Sequence, residues 1–165
     1  MQRLIYNQLK SWKDSNNRKP LVLRGARQVG KTYILKEFSA KNFENLFYIN
    51  LDKDEEQKKI FQKDVNVRRI LNDVELLFNK KINLEKDILF IDEIQEEPNA
   101  INSLKYFCED YPNLAVCSAG SLLGVKLGSE NFPVGKVDFL DLKPMTFLEF
   151  LMACDENLLL EKLNT

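Results

Sequence analysis

The sequence predicts an α/β fold built on a parallel sheet. Short β-rich runs alternate with helical patterns along the chain. Two of those runs, "ILFI" at 88–91 and "LAVCSA" at 114–119, are almost wholly apolar, as strands covered on both faces must be. A glycine-spaced loop, "RGARQVGKT", follows the first run and opens a helical pattern.

The elements follow in order. Ile5, Leu9 and Trp12 fall at helical spacing, so the chain should begin with an amphipathic helix. "KDSNNRKP" breaks it with turn formers and Pro20. "LVLRG" is the first strand, and Ile34, Leu35 and Phe38 stripe the helix after the glycine loop. "LFYINLD" is the second strand; the acids of "DKDEE" suit a helix N-terminus behind it. Val67, Ile70, Leu71, Val74, Leu77 and Phe78 recur every three or four residues, the clearest helical period in the chain. "DILFIDE" is the third strand, and Ile101, Leu104 and Cys108 mark the next helix. "LAVCSAG" is the fourth strand, "GSENFPVGK" a polar loop, and "VDFLDL" the fifth strand, stopped by Pro144. Thr146 and Glu149 have capping-box spacing ahead of Phe147, Leu148, Phe150 and Leu151. "LLLEKLNT" reads as further helix.

Composition narrows the chemistry. A chain of 165 residues, 44% hydrophobic and 30% charged, has the size and make-up of one globular domain. Residues 1–19 form its leading helix and linker. A net charge of −1 offers no broad field for nucleic acid or anionic lipid. The absence of histidine removes Ser-His and Cys-His nucleophile pairs and histidine metal ligands. Cys108, Cys117 and Cys154 are expected as reduced core thiols of a cytoplasmic protein. The N-terminus lacks the apolar run of a signal peptide, and no stretch is apolar enough for a membrane helix.

Gly25, Gly30, Lys31 and Thr32 fit G-x-x-x-x-G-K-[ST], the phosphate-binding loop. The whole loop, Gly25, Ala26, Arg27, Gln28, Val29, Gly30, Lys31, Thr32 and Tyr33, is therefore expected to bind nucleotide. Its glycines free the backbone to turn amides inward and keep Cβ atoms off the phosphate oxygens. Lys31 can reach the β- and γ-phosphates, the Thr32 hydroxyl can ligate Mg²⁺, and the helix dipole adds positive potential. Arg24 and Arg27 flank the loop as further phosphate candidates.

Such a site needs a carboxylate opposite Thr32 at the tip of a neighbouring strand. Asp92 meets that need, holding Mg²⁺ through water, and Glu93 stands next as the base that activates an attacking water. The pattern disfavours guanine. The residue three after Asp92 is Gln95 rather than the glycine of a GTPase switch, and Asn79-Lys80 is not completed to N-K-x-D because Ile82 stands at the last position. The adjacent glutamate favours transfer to water over transfer to a second substrate. Ser121, and with it Ser118, could sense the γ-phosphate from the polar tip of the fourth strand, and Gln95 could position water. Tyr6 and Trp12 could contact adenine, but core packing is the favoured role for both.

Taken together, "LVLRGARQVGKT", "ILFIDEIQ", "AGSLLG" and "FPVGKVDFLDLKPMTFLEFL" resemble a family of prokaryotic AAA-type ATP-binding proteins, relatives of the AAA+ and signal-transduction ATPases. The resemblance runs from about Pro20 to Leu151, and its last two segments are the most particular. It implies a three-layer P-loop NTPase with five parallel strands ordered 5-1-4-3-2, a site at the C-terminal edge of the sheet, and ATP or ADP as ligand with Mg²⁺; the oligomeric state stays open, a homo-oligomer among the alternatives. Members usually continue into winged-helix and nuclease-like regions, so by this resemblance the chain is an isolated or truncated core whose DNA or protein partner would act through the missing part. Many members carry Gly-Arg, a trans-acting finger, where this chain has Gly135-Lys136; lysine lacks the planar fork. Three uses of ATP stay open at this point: a hydrolysing motor or switch core, a nucleotide-dependent binding module with little turnover, and a DNA-associated ATPase, for which Arg68 and Arg69 supply one small basic pair.

Overall fold

The computed structural model describes residues 3–121, 133–154 and 161–162. The elements run α1 (Ile5–Asp14), β1 (Leu21–Arg24), α2 (Lys31–Asn42), β2 (Leu46–Asn50), α3 (Glu55–Gln62), α4 (Val67–Phe78), β3 (Ile88–Asp92), a 3-10 turn (Ile94–Glu96), α5 (Pro98–Asp110), β4 (Ala115–Gly120), β5 (Asp138–Asp141) and α6 (Phe147–Ala153). Residues 122–124 of "AGSLLG", 128–132 of the polar loop, and 158–160 and 163–165 of the expected last helix lie outside the described residues.

All neighbouring strands are parallel, in the order β2-β3-β4-β1-β5. This is the expected 5-1-4-3-2 read from the other edge. The two most apolar strands, β3 and β4, are buried along their whole length and sit in the interior of the sheet. Alternation along the strands divides the core in two. Val22, Leu89, Ile91 and Val116 pack with α3, α4 and α5 on one face. Leu21, Leu23, Phe90 and Cys117 pack with α1 and α2 on the other.

Local chemistry sets the helix ends. Asp54 caps α3 by accepting from the amides of Glu56 and Gln57, and Asn66 caps α4 by accepting from that of Arg69. Asn79, with φ 49°, ends α4 in the left-handed conformation that asparagine tolerates. The α4 period is buried at Val67, Ile70, Leu71 and Val74, but its last turn emerges, leaving Leu77 and Phe78 partly exposed, Phe78 edge-on to Phe47. The α6 capping box forms in full.

Two sequence expectations change, and the core role weighed for Tyr6 and Trp12 holds. Only Cys117 is a core thiol; Cys108 is half-buried and Cys154 exposed. Tyr6 and Trp12 are packing residues: Tyr6 stands edge-on to Phe38, and the buried Trp12 donates its indole N–H to the Lys19 carbonyl. Arg69 is engaged by Asp64 and Asp73, so no free basic pair remains with Arg68. Among the described residues no helix is long and apolar enough to cross a membrane.

Candidate functional site

The loop between β1 and α2 reaches its shape through two residues with positive φ, Gln28 at 62° and Gly30 at 96°. At Gly30 a Cβ would meet nothing within 4 Å, so glycine is needed there for its conformation. At Gly25 the fold itself imposes a demand. A Cβ there would lie 2.4 Å from the backbone oxygen of Leu142 and 3.1 Å from Val29 Cγ2. Gly25→Ala is expected to lower stability by about 3 kcal/mol, because a backbone oxygen cannot step aside as a side chain can. Thermal unfolding checks this, with a Tm drop of about 6–10 °C expected.

Lys31 turns back into the loop and donates from Nζ to the carbonyls of Gly25 (2.8 Å) and Ala26 (2.5 Å). Burial pulls its pKa below the usual value, and the charges of Glu93 and Asp92 oppose that shift. Thr32, one residue on, donates its hydroxyl to Asp92 Oδ2 at 2.7 Å across 60 residues of sequence. Asp92 sits at the C-terminal end of β3, almost fully buried, and its Oδ1 accepts from the Glu93 amide. A hydroxyl and a carboxylate at one point form an oxygen pair of the kind Mg²⁺ prefers.

The chain turns sharply after Asp92. Glu93 has φ 53°, a left-handed conformation that costs a non-glycine residue about 1–3 kcal/mol and is found most often at functional sites. That turn brings its carboxylate beside Gln95, whose Nε2 donates to Glu93 Oε2 at 2.5 Å. Arg27, Lys31, Thr32, Glu93, Gln95 and Ser121 line one cavity of ≈510 Å³. A second of ≈310 Å³ is lined by Arg3, Val29, Tyr33, Ile34, Pro144 and Met145, and the two share Gln28, Gly30 and Tyr33. A larger open cleft of ≈800 Å³, beside Arg68 and Tyr106, gathers none of these groups.

The two serines separate. Ser121 Oγ is buried at the cavity and finds no hydrogen-bond partner among the described residues. Ser118 is fully buried within β4 and donates to the Leu21 carbonyl, so it is a sheet residue outside the cavity. Arg24 is likewise engaged elsewhere, in a two-bond pair with Asp141 and stacked over Phe139. Lys136 pairs with Glu109 and lies two residues ahead of β5, at the sheet edge opposite the loop.

One group escaped the sequence reading. Tyr48 on β2 donates its hydroxyl to Asp92 Oδ2 at 2.8 Å, takes a bond from Asn50 Nδ2, and carries Lys36 Nζ 3.7 Å over its ring. Burial, the Asn50 bond opposing it, and the Asp92 contact leave its pKa pushed up to about 12. It therefore stays protonated and holds the Asp92 carboxylate in place. No local pattern marks a tyrosine two positions before a strand end.

Comparison with known proteins adds two findings. A family model described as "AAA domain" matches residues 17–151. Among solved structures, the Aeropyrum pernix Orc1 protein in complex with DNA superposes with a TM-score of 0.54 at 15% identity, covering 93% of this chain and 47% of that one. The chain thus spans about half the length of that structure, and the likeness is one of fold. No curated protein matches.

Proposed function

This chain belongs to the AAA domain family, and on that premise we propose that its P-loop ATPase core binds Mg-ATP and transfers the γ-phosphoryl group to water. The observation that carries the reading is the 2.7 Å bond between Thr32 Oγ1 and Asp92 Oδ2, made at the same sheet edge as Lys31. Two motifs 60 residues apart meet where a phosphate-bound cation would need both.

Within this reading the loop amides and Lys31 hold the β- and γ-phosphates and stabilise the charge that develops on them. Thr32, directly, and Asp92, through water, would hold Mg²⁺, which supplies neutralisation of phosphate charge when bound. Glu93 takes the proton of the attacking water at its carboxylate, and Gln95 orients that carboxylate. Ser121 offers its unpartnered hydroxyl to the γ-phosphate. The apolar cavity by Val29, Tyr33, Ile34, Pro144 and Met145 is the seat for the base, a role the N-terminal aromatics do not fill.

A second reading, a nucleotide switch with slow basal turnover, is favoured by the Glu93–Gln95 contact. A carboxylate held at 2.5 Å on one oxygen offers water only the other, which narrows the geometry for proton transfer and suits slow turnover. Titration calorimetry of the full chain with Mg-ATP and Mg-GTP, followed by a phosphate-release assay, tests both. Saturable ATP binding, weaker GTP binding and phosphate release support hydrolysis. Binding without release points to the switch, and absence of binding removes the nucleotide site.

A further inference from the structure

Two segments far apart in sequence meet on one buried side chain near the N-terminus. Arg3 is 6% exposed. Its Nη1 donates to the carbonyl of Val29 in the phosphate loop (3.3 Å), its Nη2 to that of Lys143 in the β5–α6 connection (2.7 Å), and its Nε to Glu149 Oε1 in the first turn of α6 (3.1 Å). Glu149 is buried too. Its Oε1 also accepts from the Leu4 amide, while Oε2 accepts from the amide of Thr146. Burial raises the Glu149 pKa, but the amides of Thr146 and Leu4 and the Arg3 guanidinium outweigh it and hold the carboxyl below its usual value.

Stability alone does not explain this arrangement. A buried ion pair is often no better than well-packed apolar residues of the same volume. What an arginine adds is a rigid planar fork that fixes several acceptors in one geometry. Val29 lies between the two left-handed residues of the loop, Gln28 and Gly30. Its carbonyl and the Gly30 amide belong to one planar peptide, so a donor that fixes the first also fixes where the second points. Gly25, at the start of the loop, is closed against the backbone oxygen of Leu142, the residue before Lys143. Arg3, Val29, Pro144 and Met145 also line one cavity, so a ligand seated there would press on the loop and on the approach to α6 together.

We infer that Arg3 is a positioning residue for the phosphate loop, and that through Glu149 it couples nucleotide occupancy to the docking of α6. The inference rests on the nucleotide reading given above. Coupling of this kind is reciprocal: a docked α6 raises nucleotide affinity by the same factor by which nucleotide favours docking.

The test combines calorimetry with hydrogen exchange on the full chain, using Mg²⁺ and a non-hydrolysable ATP analogue. In the wild type, the analogue should slow amide exchange across residues 147–153 by about ten-fold, within the usual range of coupling between sites. In Arg3→Ala that slowing should vanish and analogue affinity should fall by a similar factor. Arg3→Lys, which keeps the charge without the fork, should not restore either. Glu149→Gln keeps the side-chain shape, and should weaken the α6 response even if Arg3→Ala fails to fold. A residue that only stabilises the fold would speed exchange with and without nucleotide and leave the ratio unchanged, which overturns the coupling. A wild type that binds the analogue with no change in α6 overturns the coupling alone. A wild type that does not bind overturns both this inference and the nucleotide site.

Discussion

Lys31→Ala is expected to weaken ATP binding by at least about 100-fold, the equivalent of about 3 kcal/mol of charge-assisted hydrogen bonds to phosphate. The geometry explains why the effect should fall on binding rather than on folding. Lys31 Nζ rests on the Gly25 and Ala26 carbonyls, a pair of acceptors inside its own loop. These can turn to water when the ammonium is gone. An incoming phosphate draws the ammonium away from two neutral acceptors to anionic ones, so the exchange gains charge attraction without burying a new unpaired charge. Calorimetry on wild type and variant measures the loss, and matched thermal unfolding curves confirm that the fold is intact. An affinity within about three-fold of wild type would take Lys31 out of the site, since a single charge-assisted bond already exceeds that difference.

Glu93→Gln is expected to leave ATP bound and to slow phosphate release by about 10²- to 10⁴-fold, the usual contribution of a positioned general base. Glutamine keeps the length of the side chain and the left-handed turn at φ 53°, but its amide cannot take a proton from water. The contact to Gln95 Nε2 survives through the amide oxygen, so the variant isolates proton transfer from positioning. Single-turnover phosphate release, read beside nucleotide affinity, separates the two. A rate equal to that of wild type would require another base, and the site reading would have to be redrawn around it.

The parts that follow a local rule could be read before the structure. Continuous apolar runs placed β3 and β4 inside the sheet, a short capping spacing announced α6, and the glycine spacing ahead of Lys31 and Thr32 marked the turn between β1 and α2. Helix α3 was visible only through its leading acids, because its buried residues are confined to Ile60 and Phe61. Other features depend on distances that no spacing encodes. The sequence favours Ser121, just past the strand end at Gly120, over Ser118, but only the structure shows that the Ser118 hydroxyl meets the Leu21 carbonyl while Ser121 lines the cavity. Gly25 resembles any loop glycine until the Leu142 oxygen appears beside it. Tyr48 and Arg3 carry no motif at all; their roles arise from partners 44 and 146 residues away.

The split core has a further meaning for where this molecule begins as a folding unit. The family match starts at residue 17, after α1 has ended. Yet Ile5, Leu9 and Trp12 of that helix belong to the same cluster as Phe38 and Leu21, and Leu9 has no exposed surface. Each such side chain stabilises by about 1.5–3 kcal/mol through burial. The matched stretch and the packed core therefore differ by one helix. A fragment cut at residue 17 would uncover an apolar wall beneath helix α2, and Arg3 would leave with it.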